Sequence, residues 1–88
     1  MHNNRAYAQE SMLVQGTANR RKRGVERASI GTLIQDPNID YAKLAEGMGV
    51  WSAGPIENPD DLRPALIEAV KVVKSGYPAL VDVVTQMR

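Results

Sequence analysis

An 88-residue chain with 43 % hydrophobic and 24 % charged residues has room for one small domain and too many apolar side chains for wholesale disorder. It contains no cysteine, which excludes disulfide staples, thiolate metal sites and a cysteine nucleophile, and no apolar stretch long enough to span a bilayer. The formal charge of +1 is unevenly placed, six Lys/Arg against two Glu in residues 1–34 and five against eight acids in residues 35–88, which suits an anionic partner for the basic half.

The polar start Met1-His2-Asn3-Asn4-Arg5 lacks the apolar core of a signal peptide, so a cytoplasmic protein with no membrane partner is expected. His2 fits the last residue of a strand and Asn3-Asn4 the turn that ends it, with a helix following Tyr7. Residues 16–36, from Gly16-Thr17 through the basic run to Asp36-Pro37, read as a long loop. Asp40 is placed to cap a second helix whose Tyr41, Leu44, Ala45 and Met48 share a face, with Ile39 set to staple against Leu44 and Gly49 as the stop. Val50-Trp51 is a short strand and Ser52-Ala53-Gly54-Pro55 a loop. Asn58-Pro59-Asp60-Asp61 supplies a cap, a first-turn proline and acids at the positive end of a helix dipole. Leu62, Ala65, Leu66, Ala69, Val70 and Val73 then mark one apolar stripe, interrupted by Pro64, and Gly76 ends the helix. Ala79–Val84 is nearly continuous in apolar, β-branched residues and predicts a buried parallel strand.

Residues 37–88 thus alternate helix, strand, helix, strand, the rhythm of an α/β layer. Two parallel strands leave sheet edge and face uncovered, so a larger sheet is expected of which these residues form one part.

The pentapeptide Asn3-Asn4-Arg5-Ala6-Tyr7 resembles the closing half of the thiamine-diphosphate motif, which opens with Gly-Asp-Gly and ends in Asn-Asn; the opening half does not occur in these 88 residues. Asp36–Val50 resembles the helix after the cofactor loop in acetolactate-synthase-like enzymes, Gly54–Leu62 the following turn, and Pro78–Val84 the family's final strand. The likeness spans nearly all of residues 3–86, the basic loop excepted. It implies the C-terminal part of a three-layer, parallel-sheet thiamine-diphosphate (TPP) binding domain, of the acetolactate synthase or benzoylformate decarboxylase kind. By position, Asn4 would give its side-chain oxygen and Ala6 its backbone carbonyl to Mg2+, with Tyr7 beside the cofactor. Magnesium takes six oxygens in tight octahedral geometry and shares them between protein and phosphates, a role neutral amide oxygens can fill.

The resemblance further implies a decarboxylase, lyase or carboligase acting on a 2-keto acid or acyl-type substrate, in a parent enzyme that is a homodimer or homotetramer. The cofactor-activating Glu of that family comes from another domain, and neither Glu10 nor Glu26 takes its place, so no catalytic residue is assigned. Alone, the chain is expected to be inactive and to need the rest of the enzyme or a second subunit.

Arg20-Arg21-Lys22-Arg23 with Arg27 supports a different reading, a small basic module that contacts nucleic acid or another anionic partner. No aromatic residues interleave with these cations for base stacking, so a solvated loop or a contact to cofactor or acyl-coenzyme phosphates is the simpler reading. His2, the lone histidine, founds neither a triad nor a zinc site. Trp51 and Tyr41 are expected to pack, and Asp82, inside an apolar strand, needs a hydrogen-bond partner.

Overall fold

A computed structural model describes residues 1–86. Within them lie three strands, β1 (His2–Asn3), β2 (Trp51–Ile56) and β3 (Ala79–Val84), and three helices, α1 (Ala8–Arg20), α2 (Tyr41–Gly47) and α3 (Pro59–Lys74). Contacts divide the chain into two compact units, one made of Met1–Asn3 with Asp40–Thr85, the other built on Asn4–Ile39.

The first unit is a parallel α/β layer in the order β1-β3-β2. The β-branched run of β3 occupies the centre, where a strand is flanked on both edges. His2 pairs with Val83 and Asn3 with Val84, and Thr85 N–H donates to the Asn3 carbonyl at 2.9 Å. On the other edge Trp51, Ser52 and Ala53 pair with Ala79, Leu80 and Val81. The register then slips before Ile56 meets Val83.

That slip corrects the expected loop at Ser52-Ala53-Gly54-Pro55, which is strand. Proline and glycine are tolerated in a sheet at an edge strand or a bulge, and this segment is both. Gly54 has φ +126°, and a Cβ there would run into the backbone carbonyl of Asp82. A side chain would therefore push the two strands apart.

Helix α2 begins where Asp40 accepts a hydrogen bond from Lys43 N–H at 2.9 Å. It buries Ala42 and Ala45, whereas Leu44 and Met48 are exposed, so the buried face is rotated from the one expected. The small residues let the helix approach β2 closely enough for Ser52 Oγ to donate to the Ala42 carbonyl at 2.9 Å. Helix α3 starts with Asn58 accepting from Asp60 N–H at 3.1 Å and carries Pro64 inside. It turns Leu62, Ala65, Ala69 and Val72 inward, leaving Leu66, Val70 and Val73 half-exposed. Both helices pack against β2 and β3.

In the second unit, the loop expected over 16–36 is in its first part helical, because α1 continues to Arg20. Gly16 lies inside it at a cost of about 1 kcal/mol relative to alanine. The stop is at Lys22, which adopts φ +52°. Lys22 N–H donates to the Asn19 carbonyl and Arg23 N–H to the Ala18 carbonyl, closing the last turn as a Schellman motif without glycine. The remaining segment folds back through turns, buries Ala28 and Thr32, and meets Ala6 with Leu33 in an antiparallel bridge.

Candidate functional site

The chain leaves the sheet at the carboxyl end of β1, the edge at which open α/β sheets present their ligand sites. Asn4 follows directly. Its Oδ1 accepts the Ala6 N–H at 3.2 Å, while Arg5 sits at φ +53° in the left-handed region. Asparagine suits this Asx turn because its short side chain reaches the backbone two residues on. The left-handed residue costs about 1–2 kcal/mol and persists only where the surroundings fix it.

Here the surroundings are the segment 32–34. Ile34 N–H donates to the Arg5 carbonyl at 2.8 Å, and Tyr7 N–H donates to the Thr32 carbonyl at 2.7 Å. Thr32 is itself tied down, its Oγ1 donating to the Ala28 carbonyl at 3.0 Å. Two backbone bonds thus clamp the turn on either side of Ala6, which is buried. These clamping residues were missed in the sequence; the apolar, partly β-branched Thr32-Leu33-Ile34 was the available signal for a bridge partner.

The three expected site residues lie within the four positions 4–7 of this clamped turn. Asn4 Oδ1, with one hydrogen bond accepted, keeps a second lone pair. Among the described residues no hydrogen bond is formed to the Ala6 carbonyl oxygen, whose neighbours on both sides are engaged. Tyr7 works through its backbone, its carbonyl accepting from Ser11 N–H at 3.1 Å, while its ring is exposed and does not pack beneath the turn. Helix α1 begins at the next residue, so its first free N–H groups and the positive end of its dipole follow the turn immediately.

Two neutral oxygens with open lone pairs fit part of the coordination sphere of a hard divalent cation, the other positions being left to phosphate oxygens, water and further protein groups. Among the described residues no group of three or more His, Cys, Asp or Glu could hold a metal by itself. His2 is an exposed strand residue, and the strand runs one residue past the expected end, to Asn3.

The basic run occupies the opposite end of α1. Thirteen residues of helix separate it from the turn, about 20 Å along the axis. Along α1, Arg20–Arg23 are therefore remote from Asn4. All of these cations are exposed, and Arg20 lies in the last turn of α1, where it opposes the negative end of the helix dipole.

Near the end of β3, Asp82 is fully buried. Asn3 Nδ2 donates to its Oδ2 at 3.4 Å, the partner the sequence called for, while Oδ1 has none among the described residues. Among those residues no helix is long and apolar enough to cross a membrane.

The profile of the family described as thiamine pyrophosphate enzyme, C-terminal TPP binding domain, matches residues 1–83. Neither a curated protein nor a solved structure matches the chain. A match over nearly the whole sequence, joined to a parallel α/β layer whose first strand runs into an Asn-Asn turn and a helix N-terminus, identifies this chain as a member of the C-terminal TPP-binding domain family of thiamine pyrophosphate enzymes.

Proposed function

We propose that the turn Asn4–Ala6 helps hold Mg2+ against the diphosphate of thiamine diphosphate, with Asn4 Oδ1 and the Ala6 carbonyl as the metal ligands from this chain. The observation that carries this reading is the clamped turn itself: one oxygen with a spare lone pair, one carbonyl without a donor among the described residues, and a helix that begins two residues on. Tyr7, exposed beside them, is the residue proposed to line the cofactor site. When bound, thiamine diphosphate supplies the carbonyl-addition chemistry, and the protein's part is to bind and orient it. The residues here do the holding. The remaining metal ligands and the group that activates the cofactor come from elsewhere in the enzyme or from a second subunit.

The likeness of Asp36–Val50 and Pro78–Val84 to acetolactate-synthase-type enzymes supports a decarboxylase, lyase or carboligase of 2-keto acids as the parent activity. Calorimetric titration of thiamine diphosphate with and without Mg2+ tests the binding claim. The expected result is Mg2+-dependent binding weakened at least about tenfold by Asn4→Ala, the loss of one charge-assisted contact of about 1.5 kcal/mol. Equal binding by the native chain and the variant would refute the assignment of Asn4.

A further inference from the structure

We propose that the exposed face of α1 that ends in Arg21 and Arg23 is a docking surface for an acidic segment of a partner protein, one that carries an aliphatic anchor beside its carboxylates. This inference rests on α1 and its C-terminal turn, and stands apart from the metal-site reading. Leu13, Val14, Thr17, Ala18 and Arg21 are spaced three and four residues apart, so they share one side of the helix. Leu13 and Val14 are 65 % and 48 % exposed. At Lys22 the chain turns out of the helix, and the hydrogen bond from Arg23 N–H to the Ala18 carbonyl at 2.9 Å draws Arg23 back alongside that face. The result is a shallow groove of about 370 Å3 with an aliphatic stretch at Leu13 and Val14 and two guanidinium groups at its other end.

Charge selects the occupant. No acid lines the groove, and residues 13–27 hold five Lys/Arg against one acid, Glu26, which lies beside Gly24 where a Cβ would strike its carboxylate. Among the described residues Arg20 Nη2 donates to Thr17 Oγ1 at 3.4 Å, whereas neither Arg21 nor Arg23 has a carboxylate within ion-pair distance. The negative end of the α1 dipole amounts to about half a charge, which two guanidinium groups outweigh. Glu10 stands three residues before Leu13, so the opposite end of the face repels acids. The complementary segment is therefore acidic over Arg21 and Arg23 and aliphatic over Leu13 and Val14. Guanidinium forks bind carboxylates bidentately, and clusters of them recognise acidic motifs. Nucleic acid fits less well, because residues 13–23 include no aromatic ring for a base to stack on and a phosphate backbone gains nothing from the aliphatic stretch. A free small molecule fits less well too, since such sites enclose about 70–90 % of their ligand and this groove is open along one helix. A contact this small is weak and sensitive to salt.

The test is fluorescence polarisation of a fluorescein-labelled peptide, a leucine pair flanked by glutamates, titrated at low salt with the full chain up to roughly 1 mM. Three further probes accompany it: the peptide with serines for the leucines, the peptide with lysines for the glutamates, and a single-stranded DNA oligonucleotide. The leucine–glutamate peptide is expected to bind, and the serine peptide to bind at least about tenfold more weakly. Leu13→Ser should weaken the first peptide about threefold, and Arg21→Glu combined with Arg23→Glu at least about tenfold, the charge-reversed chain taking up the lysine peptide instead. All three altered positions are exposed, and far-UV circular dichroism confirms that each variant keeps its helices. No binding by the wild type overturns the proposal, as does equal binding of the leucine and serine peptides or binding that survives the double charge reversal. An oligonucleotide held more tightly than the peptide also overturns it, and makes the surface one for nucleic acid.

Discussion

Asp82 is a carboxylate with no exposed surface, one long hydrogen bond from Asn3, and one oxygen without a partner among the described residues. Burying a charged oxygen that way costs free energy that an amide of the same shape would not incur. Asp82→Asn is therefore expected to raise stability by about 1 kcal/mol in urea unfolding. A loss of that size would mean the carboxylate is engaged by a group the described contacts do not include. Gly54 is the converse case, where chemistry is minimal and sterics decide. Alanine there would have to hold φ +126° and overlap the Asp82 carbonyl, so Gly54→Ala should cost at least about 2 kcal/mol, visible as a lowered urea midpoint. An unchanged midpoint would show that the β2–β3 slip relaxes freely. Asn4 stands apart from both: its side chain closes a turn and still has an acceptor to offer, so the proposed binding role would fall on an amide that already has a structural one.

The helices show which signals a sequence carries openly. Asp40 and Asn58 could be recognised as caps because a side-chain oxygen two or three residues before an N–H is a local arrangement, and both make that bond. Gly49 and Gly76 could likewise be recognised as stops, and both take positive φ. Helix α1 breaks this pattern at each point. Its cap, Tyr7, has no side-chain hydrogen bond, its interior contains Gly16, and its stop is a lysine, so the boundary expected at 16 fell on the wrong residue. Because Lys22 pays the left-handed penalty at a glycine position, Lys22→Gly is expected to stabilise the second unit by about 0.5–1 kcal/mol, measured by thermal unfolding. A destabilised variant would place the end of α1 elsewhere. The faces of α2 and α3 were only half legible for another reason. Periodicity says which residues are apolar, but contact with β2 favoured the small Ala42, Ala45 and Ala69 over the larger Leu44 and Leu66. Asp40→Ala should remove about 1 kcal/mol, the usual worth of such a cap, and a change below a few tenths would show that tertiary packing alone sets the start of α2.

At the scale of the whole molecule, the alternation of helix and strand over residues 37–86 was sufficient to foresee a parallel α/β layer, because each crossover brings its strand back in the same direction. The third strand was foreseeable only as a stub: two residues carry no periodicity, and what places β1 beside β3 is the Asn3 and Met1 backbone, invisible in side-chain pattern. The site shows the same division. Asn4, Ala6 and Tyr7 are nominated by a motif contiguous in sequence, whereas the clamp from Thr32 and Ile34 arises from a return of the chain across more than twenty residues. That clamp is what the proposed metal site would rest on, since it fixes a left-handed turn before any ligand arrives. The most direct test is a nuclear magnetic resonance titration of the 15N-labelled chain with thiamine diphosphate and Mn2+ in place of Mg2+, the paramagnetic ion broadening whatever lies beside it. The account predicts that the Asn4 side-chain amide and the Ala6 and Tyr7 backbone amides disappear first, and only when thiamine diphosphate is present. Broadening that begins at other residues while these three signals persist would contradict it.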